Sequence, residues 1–187
     1  MGAEAVPRVV KILGKRQVLR AAAEASDASD EAALAAAANA QSGAAVLPPL
    51  PSETHFTRRV DVVDALADSL VRLLALLAVA GGAASEAALG GGAPAALVAL
   101  LSDTTAPDGL VGNAALAASE LARGDAGLET LAQLDPVPAL IKVAHTRRGT
   151  AQKNAAIALA RLARDPACLE KIRELHGFEI IAAYVKV

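Results

Sequence analysis

The sequence predicts an all-α protein in which similar helical units stack into a solenoid. The first observation is composition: 54% of the 187 residues are apolar, yet Trp is absent and Tyr, Phe and Met together number four. The core must therefore be aliphatic, and Ala and Leu favour helices, whereas the residues that suit strands are scarce. The second is an internal repeat, because a period of several tens of residues indicates a solenoid rather than a bundle.

Two segments of the chain repeat, and together they define the helices of one unit. Asn113–Arg123 recurs 41 residues later as Asn154–Arg164, with seven identities in eleven positions. A second segment with a Pro near its start occurs as Gly92–Leu101, as Asp135–Ala144 and, in part, as Val6–Leu13. Pro fits the first turn of a helix, where its missing N–H leaves no bond unmade. Each unit is thus expected to contain a short helix, a Pro-opened helix, a loop and a longer Ala-rich helix.

The repeated units resemble the armadillo repeat over about residues 58–187 and, more weakly, over residues 6–13. The features that carry the resemblance are the Gly or Pro step before an Ala-Leu-Val helix and the pattern Ala-Ala-x-Ala-Leu-x-x-Leu-Ala at Ala155–Ala163. This resemblance implies three to four units of roughly 40 residues in a right-handed superhelix.

A more specific similarity concerns the C-terminal part of the chain. Ala151–Leu159 and Leu169–Ile181 look like the C-terminal armadillo units of proteins that join tetratricopeptide and armadillo repeats. Some of those proteins are chaperone-linked factors for myosin or for the assembly of axonemal dyneins. The similarity covers about 35 residues, and no tetratricopeptide part is present in the sequence. It implies an assembly factor that acts in cytoskeletal or ciliary assembly.

Three regions are predicted along the chain. Residues 1–13 are a partial N-terminal repeat, residues 14–57 are an insertion rich in Ala, Ser, acids and Pro, and residues 58–187 are the armadillo-like repeats. Within the insertion we expect a weak helix over residues 17–40, because no wide apolar stripe anchors it. The tract Pro48–Pro51 is expected to be extended; we interpret it as a flexible connector, and the alternative is a ligand for a Pro-binding domain.

The long helices are predicted to bury one face and to present the other on a concave groove. At 100° per residue, Ala155, Ala158, Leu159 and Leu162 share the core face. The opposite face and its equivalents in the two preceding units comprise Lys153, Ile157, Arg161 and Arg164; Gly112, Leu116, Glu120 and Arg123; and Asp68, Arg72, Leu76 and Val79. Among these we predict partner-binding roles for Lys153, Ile157, Arg161, Arg164, Leu116, Glu120, Arg123 and Arg72.

Charge patterning suggests the kind of partner. From Pro136 to Arg164 the chain has no acid and six cations: Lys142, Arg147, Arg148, Lys153, Arg161 and Arg164. One interpretation is a solvated face balanced by the later acids Asp165, Glu170, Glu174 and Glu179. The other is a groove that attracts an acidic or amphipathic protein surface. Nucleic acid is disfavoured, because stacking aromatics are missing and the formal net charge is -2.

Other functional classes lack their motifs. Nuclear-import adaptors place an Asn before the final Leu-Ala of each long helix and a Trp nearby, but Arg161 and Glu120 stand there and Trp is absent. The three His residues are too dispersed for a metal site, and Gly90–Gly92 has neither the strand nor the Lys of a phosphate loop. We interpret Cys168 as a small residue at a corner. The sequence predicts neither an enzyme nor a cofactor or metal, and one cysteine with no spanning segment favours the cytoplasm.

Two functional hypotheses follow. The first is a non-catalytic scaffold or assembly factor that binds a partner protein in the concave, partly basic groove. The alternative is a subunit of a homo-oligomer or larger complex that packs through exposed repeat ends, since the last helix carries Ile180, Ile181 and Tyr184. An enzyme with an unrecognised site is a third and less favoured hypothesis.

Overall fold

In a computed structural model of the chain, residues 5–41 and 58–184 are described, residues 34–41 by their backbone alone. These residues contain eleven α-helices and no strand, which confirms the all-α prediction. The helices are α1 Ala5–Gly14, α2 Arg16–Gln41, α3 Arg59–Ala80, α4 Gly82–Gly90, α5 Ala93–Ser102, α6 Asp108–Leu121, α7 Asp125–Gln133, α8 Val137–Thr146, α9 Thr150–Leu162, α10 Pro166–Glu174 and α11 Gly177–Tyr184.

The chain divides into two compact units. The larger unit contains Met1–Gly14 and Ala67–Val187, and the smaller unit contains Lys15–Leu66, so the boundary falls inside α3. The predicted insertion, residues 14–57, overlaps most of the smaller unit. Its tract Pro48–Pro51 lies outside the described residues, so the extended connector stays a prediction.

The smaller unit contains the helix that the sequence suggested over residues 17–40, observed as α2 over Arg16–Gln41, and ion pairs connect α2 to α3 within this unit. Arg16 is 2% exposed, and its Nε and Nη2 donate to Asp64 Oδ1 at 3.0 and 2.6 Å. At the start of α3, Arg59 Nη1 donates to Oδ2 of Asp30 in α2 at 2.6 Å. Asp27 and Asp30 of the insertion therefore have a partner at the start of α3, and α2 forms a helix of 26 residues.

The larger unit repeats the predicted succession of helices. A short helix, a Pro-containing helix and a longer Ala-rich helix follow each other as α4, α5 and α6, and again as α7, α8 and α9. Pro94 and Pro138 both lie in the first turn of their helices, where no N–H is required. The helices α10 and α11 follow α9 in the same order of short and second helix.

Equivalent helices contact each other in series. Helix α6 packs most extensively against α9, which joins the two complete units through their long helices. The second helices are also linked, α1 to α5, α5 to α8 and α8 to α11. Gly112 of α6 permits a close approach of the long helices, because a Cβ on it would lie 3.1 Å from the Cα of Ala151 in α9.

A left-handed residue marks the same corner of each unit. Gly92, Asp135 and His176 have φ angles of 81°, 50° and 56°, and each directly follows a short helix or its last turn. Asp135 and His176 are 41 residues apart, the same offset as the repeated sequence segments. Because residues other than Gly adopt this conformation rarely, its recurrence shows that the corner itself is repeated.

The core is aliphatic and lies between the repeated helices, as the periodicity predicts. The four residues assigned to the core face of α9 are at most 1% exposed: Ala155, Ala158, Leu159 and Leu162. The same holds for Ala114, Ala115, Ala117 and Ala118 in α6. Small side chains thus let α6 and α9 approach closely along much of their length.

No single helix among residues 5–41 and 58–184 is long and apolar enough to cross a membrane. The pair α4 and α5 reaches the required length and apolar composition only when taken together, and the two helices are bent by 65° at their junction.

Candidate partner-binding face

The predicted partner-binding residues lie on one side of the larger unit, on α3, α6 and α9, and we call this side the long-helix face. It is defined by the eight predicted binding residues together with three further residues of the same predicted α3 stripe. The eight are Arg72 of α3, Leu116, Glu120 and Arg123 of α6 and its end, and Lys153, Ile157, Arg161 and Arg164 of α9 and its continuation; the three are Asp68, Leu76 and Val79. All eight are at least partly accessible to solvent. They nevertheless divide into residues that brace neighbouring helices and residues that remain available to a ligand.

Arg161 belongs to the bracing group. Its Nη1 donates to Oε1 of Glu120 at 2.8 Å and to Oγ of Ser119 at 3.1 Å. The Glu120 side chain is only 10% exposed, and its other oxygen accepts from Arg123 Nη1 at 3.1 Å. The three charged side chains form a continuous network from α6 to α9.

Arg164 also contacts the preceding unit. Its Nη1 donates to the carbonyl oxygens of Arg123 and Ala122, at 3.0 and 3.3 Å, and its Nη2 donates to Asp125 Oδ1 at 2.8 Å. These carbonyls end α6, where helix oxygens lack intrahelical donors. A cation at this position also interacts favourably with the helix C-terminus. Arg164 therefore caps the long helix of the preceding unit.

A pair of equivalent Asn residues adds a further brace, which the sequence analysis did not assign. Asn154 Nδ2 donates to the carbonyl oxygen of Gly112 at 2.9 Å, and Asn113 Nδ2 donates to Asp68 Oδ1 at 2.6 Å. Both Asn residues open the repeated segment, so their identity at the same repeat position was the available signal. They extend the series of contacts from α9 through α6 to α3.

The residues that remain available are cationic and apolar. Arg72 and Lys153 are exposed, and within the described residues neither has an ion-pair partner. Leu116 and Ile157 are half-buried, whereas Leu76 and Val79 of α3 are 67% and 58% exposed. The acids of this face are engaged, because Asp68 accepts from Asn113 and Glu120 accepts from two arginines.

The electrostatics of Glu120 follow from this arrangement. Burial by itself would raise the pKa of the Glu120 carboxyl. The hydrogen bonds and positive charges of Arg161 and Arg123 outweigh burial and hold the pKa below its ordinary value. Glu120 is therefore a charged partner for the two arginines at neutral pH.

The basic segment from Pro136 to Arg164 is neutralised in part by the preceding unit. Arg147 Nη1 donates to Asp108 Oδ1 at 2.6 Å, and its Nη2 donates to the carbonyl oxygen of Ala106 at 3.0 Å. Together with the contacts of Arg161 and Arg164, this ties three of the six cations to acids of the preceding repeat, and not to the downstream acids that the sequence suggested. The other three, Lys142, Arg148 and Lys153, are exposed.

Among the described residues, the cysteine and histidines considered for chemistry lie apart from one another. Cys168 is 4% exposed, and burial, followed by the negative charge of Asp165, raises the pKa of its thiol to about 11. Cys168 lies in the first turn of α10, at the corner the sequence predicted. His145 and His176 are exposed and lie on different elements, and His55 is outside the described residues. Within the described ranges, no three His, Cys, Asp or Glu side chains are grouped to hold a metal ion.

Comparisons with known proteins concern the fold alone. No protein-family model matches the chain, and no curated protein matches it in sequence. An engineered protein solved by the Northeast Structural Genomics Consortium is similar over 62% of this chain, with 22% identity and a TM-score of 0.56. The match spans 48% of that protein, about half of its length. A second engineered protein from the same consortium is 22% identical over 96% of this chain and 87% of its own, with a TM-score of 0.49.

Proposed function

We propose that the protein is a non-catalytic scaffold whose long-helix face binds a partner protein. The proposal takes the units as armadillo-like repeats in a right-handed superhelix, with the long helices on the concave side. The helix order of the two complete units and their serial contacts support this arrangement. An assembly factor of the cytoplasm, in cytoskeletal or ciliary assembly, is the role that the resemblance implies.

One observation carries the proposal: the long-helix face hides its acids and exposes cations beside apolar side chains. Glu120 and Asp68 are engaged with neighbours in the chain, whereas Arg72 and Lys153 are exposed, and Leu76 and Val79 are exposed on the same helix as Arg72. Exposed Leu and Val side chains favour burial by a partner, and unpaired cations favour one with acids around an apolar centre. The expected partner is therefore a protein with an acidic or amphipathic surface.

The experiment compares two charge-reversed variants in affinity capture from the native cell. Arg72→Glu combined with Lys153→Glu alters the long-helix face, and Lys142→Glu combined with Arg148→Glu changes the net charge equally elsewhere, at two exposed side chains. Arg161 and Arg164 are kept, because their reversal would break contacts within the chain. Quantitative mass spectrometry measures the captured proteins, and circular dichroism checks helicity.

We expect at least a tenfold loss of the specifically captured protein for the face variant, corresponding to about 1.4 kcal/mol. The control variant should capture it like the wild type. Equal capture by both variants would place the binding surface elsewhere on the molecule.

A further inference from the structure

The second helices of the repeats form a series that leaves two outward helix faces at opposite ends. Helix α1 contacts α5, α5 contacts α8, and α8 contacts α11. Among the described residues, α1 and α11 each have a second helix of the series on one side only. The chemistry of these two outward faces can therefore be compared directly.

The outward face of α1 is basic with one large apolar side chain. Val6 and Leu13 are 3% and 4% exposed and mark the buried side of this helix. At 100° per residue, Arg8, Lys11 and Ile12 lie on the opposite side, and all three are exposed, Ile12 by 40%. Arg8 already has a partner within the chain, so Lys11 is the cation of this face on which the contact depends. The helix contains no acidic residue.

The outward face of α11 is acidic and also has one large apolar side chain. Gly177 and Ile180 mark its buried side, whereas Phe178, at 44% exposure, and Glu179 point away from it. Glu174 is exposed at the end of the neighbouring helix α10.

Among the described residues, the Lys and Arg side chains next to this acidic face are engaged within the chain. Lys171 bonds to Asp135, and Arg173 bonds to Glu170. Glu174 and Glu179 therefore leave a local negative charge around Phe178.

We infer that the α11 face of one molecule binds the α1 face of a second copy, head to tail. Glu174 and Glu179 meet the cationic side of α1, and Phe178 packs against Ile12. Such a contact joins two second helices, as happens three times within the chain between α1, α5, α8 and α11. The inference does not depend on the long-helix face, since none of its residues takes part.

A head-to-tail contact uses two different surfaces, so every copy in a complex retains the means to bind another. The two faces are single short helices, which places the contact among the small, weak interfaces. Self-association should therefore appear only at high concentration. It should also weaken as salt screens the opposite charges.

Sedimentation velocity on the 187-residue chain tests the inference, from about 10 µM to about 1 mM, the range that a small interface requires. The wild type should sediment as the 18.8 kDa monomer at the low end and at least double its weight-average mass at the high end. Ile12→Asp alters the α1 face and Phe178→Asp the α11 face, and each variant alone should stay monomeric. Leu76→Asp, at a 67% exposed side chain elsewhere, is the control and should associate like the wild type.

An equimolar mixture of Ile12→Asp and Phe178→Asp gives the decisive result. One intact face remains on each variant, so the mixture should form dimers and stop there. A contact between two identical faces would leave one variant associating like the wild type, and this outcome would overturn the head-to-tail inference. A wild type that remains monomeric throughout the range would also overturn it. Circular dichroism of each variant checks that its helicity is unchanged, so that a loss of self-association is not caused by unfolding.

Discussion

Arg161 and Glu120 occupy the same position in successive copies of the repeated segment, and they are joined by a hydrogen bond of 2.8 Å from Nη1 to Oε1. Opposite charges thus stand at equivalent positions of adjacent long helices. The pair is partly shielded, because Glu120 is 10% and Arg161 28% exposed. Its position indicates that it contributes to the alignment of one unit on the next.

A double-mutant cycle with Glu120→Gln and Arg161→Gln should measure this contribution. Each single substitution removes a charge-assisted bond and should lower the free energy of unfolding by about 1 to 2 kcal/mol. The coupling energy should be about 1 kcal/mol. Urea denaturation of the four proteins provides the values.

The pair Glu170 and Arg173 is the matched control for this cycle. It has a similar bond of 2.6 Å, but its side chains are 57% and 61% exposed and lie on a single helix. Its coupling energy should stay within about 0.5 kcal/mol, since exposed pairs contribute little. Equal coupling energies in both cycles would show that the Glu120–Arg161 pair between units stabilises the fold no more than an exposed pair on a single helix.

Acid should weaken the same contact. Because Arg161 and Arg123 hold the pKa of Glu120 below its ordinary value, Glu120 stabilises the fold fully above its unfolded pKa. This stabilisation is lost as the pH falls through the lower folded pKa. The stability difference between the wild type and Glu120→Gln should therefore shrink between about pH 6 and pH 3.

Urea denaturation across that pH range is the measurement. In the Arg161→Gln background the shrinkage should be smaller, because one of the two charges that stabilise the carboxylate is gone. If the loss of unfolding free energy caused by Glu120→Gln did not depend on pH in either the wild type or the Arg161→Gln background, Glu120 would not stabilise the fold through its charge.

The sequence predicted the helical units because the repeat and the core periodicity are properties of single helices. Leu159 and Leu162 could be placed on the core face from their spacing alone, and both are at most 1% exposed. The pairing of Arg161 with Glu120 depends instead on the offset between α6 and α9. The periodicity of a single helix predicts which side is buried, but it does not predict this offset. The same limit explains why Arg164 was assigned to partner binding without its role as a cap of α6.

The insertion shows a different limit of sequence reasoning. Its lack of an apolar stripe predicted a weak helix, and that inference treats α2 as if it were isolated. In the structure, Arg16 and Asp64, 48 residues apart, form a buried ion pair that links α2 to α3 within the smaller unit. Periodicity does not detect such a pair, because charged residues of this kind look like ordinary surface residues along the chain.

The corner between α6 and α7 provides the last prediction, since it leaves no room for a side chain at Gly127. A Cβ on Gly127 would lie 2.0 Å from the carbonyl oxygen of Leu121, which is backbone and cannot rotate away. Gly127→Ala should therefore lower the free energy of unfolding by about 2 kcal/mol, and the midpoint of thermal unfolding by about 5 °C. Gly109→Ala in α6 is the matched control, because a Cβ there meets nothing within 4 Å and should be neutral or slightly stabilising. Cys168 occupies the equivalent position in the next unit, where the backbone accommodates a side chain. If Gly127→Ala were as stable as Gly109→Ala, the backbone around Gly127 could shift to accommodate a Cβ in the same way.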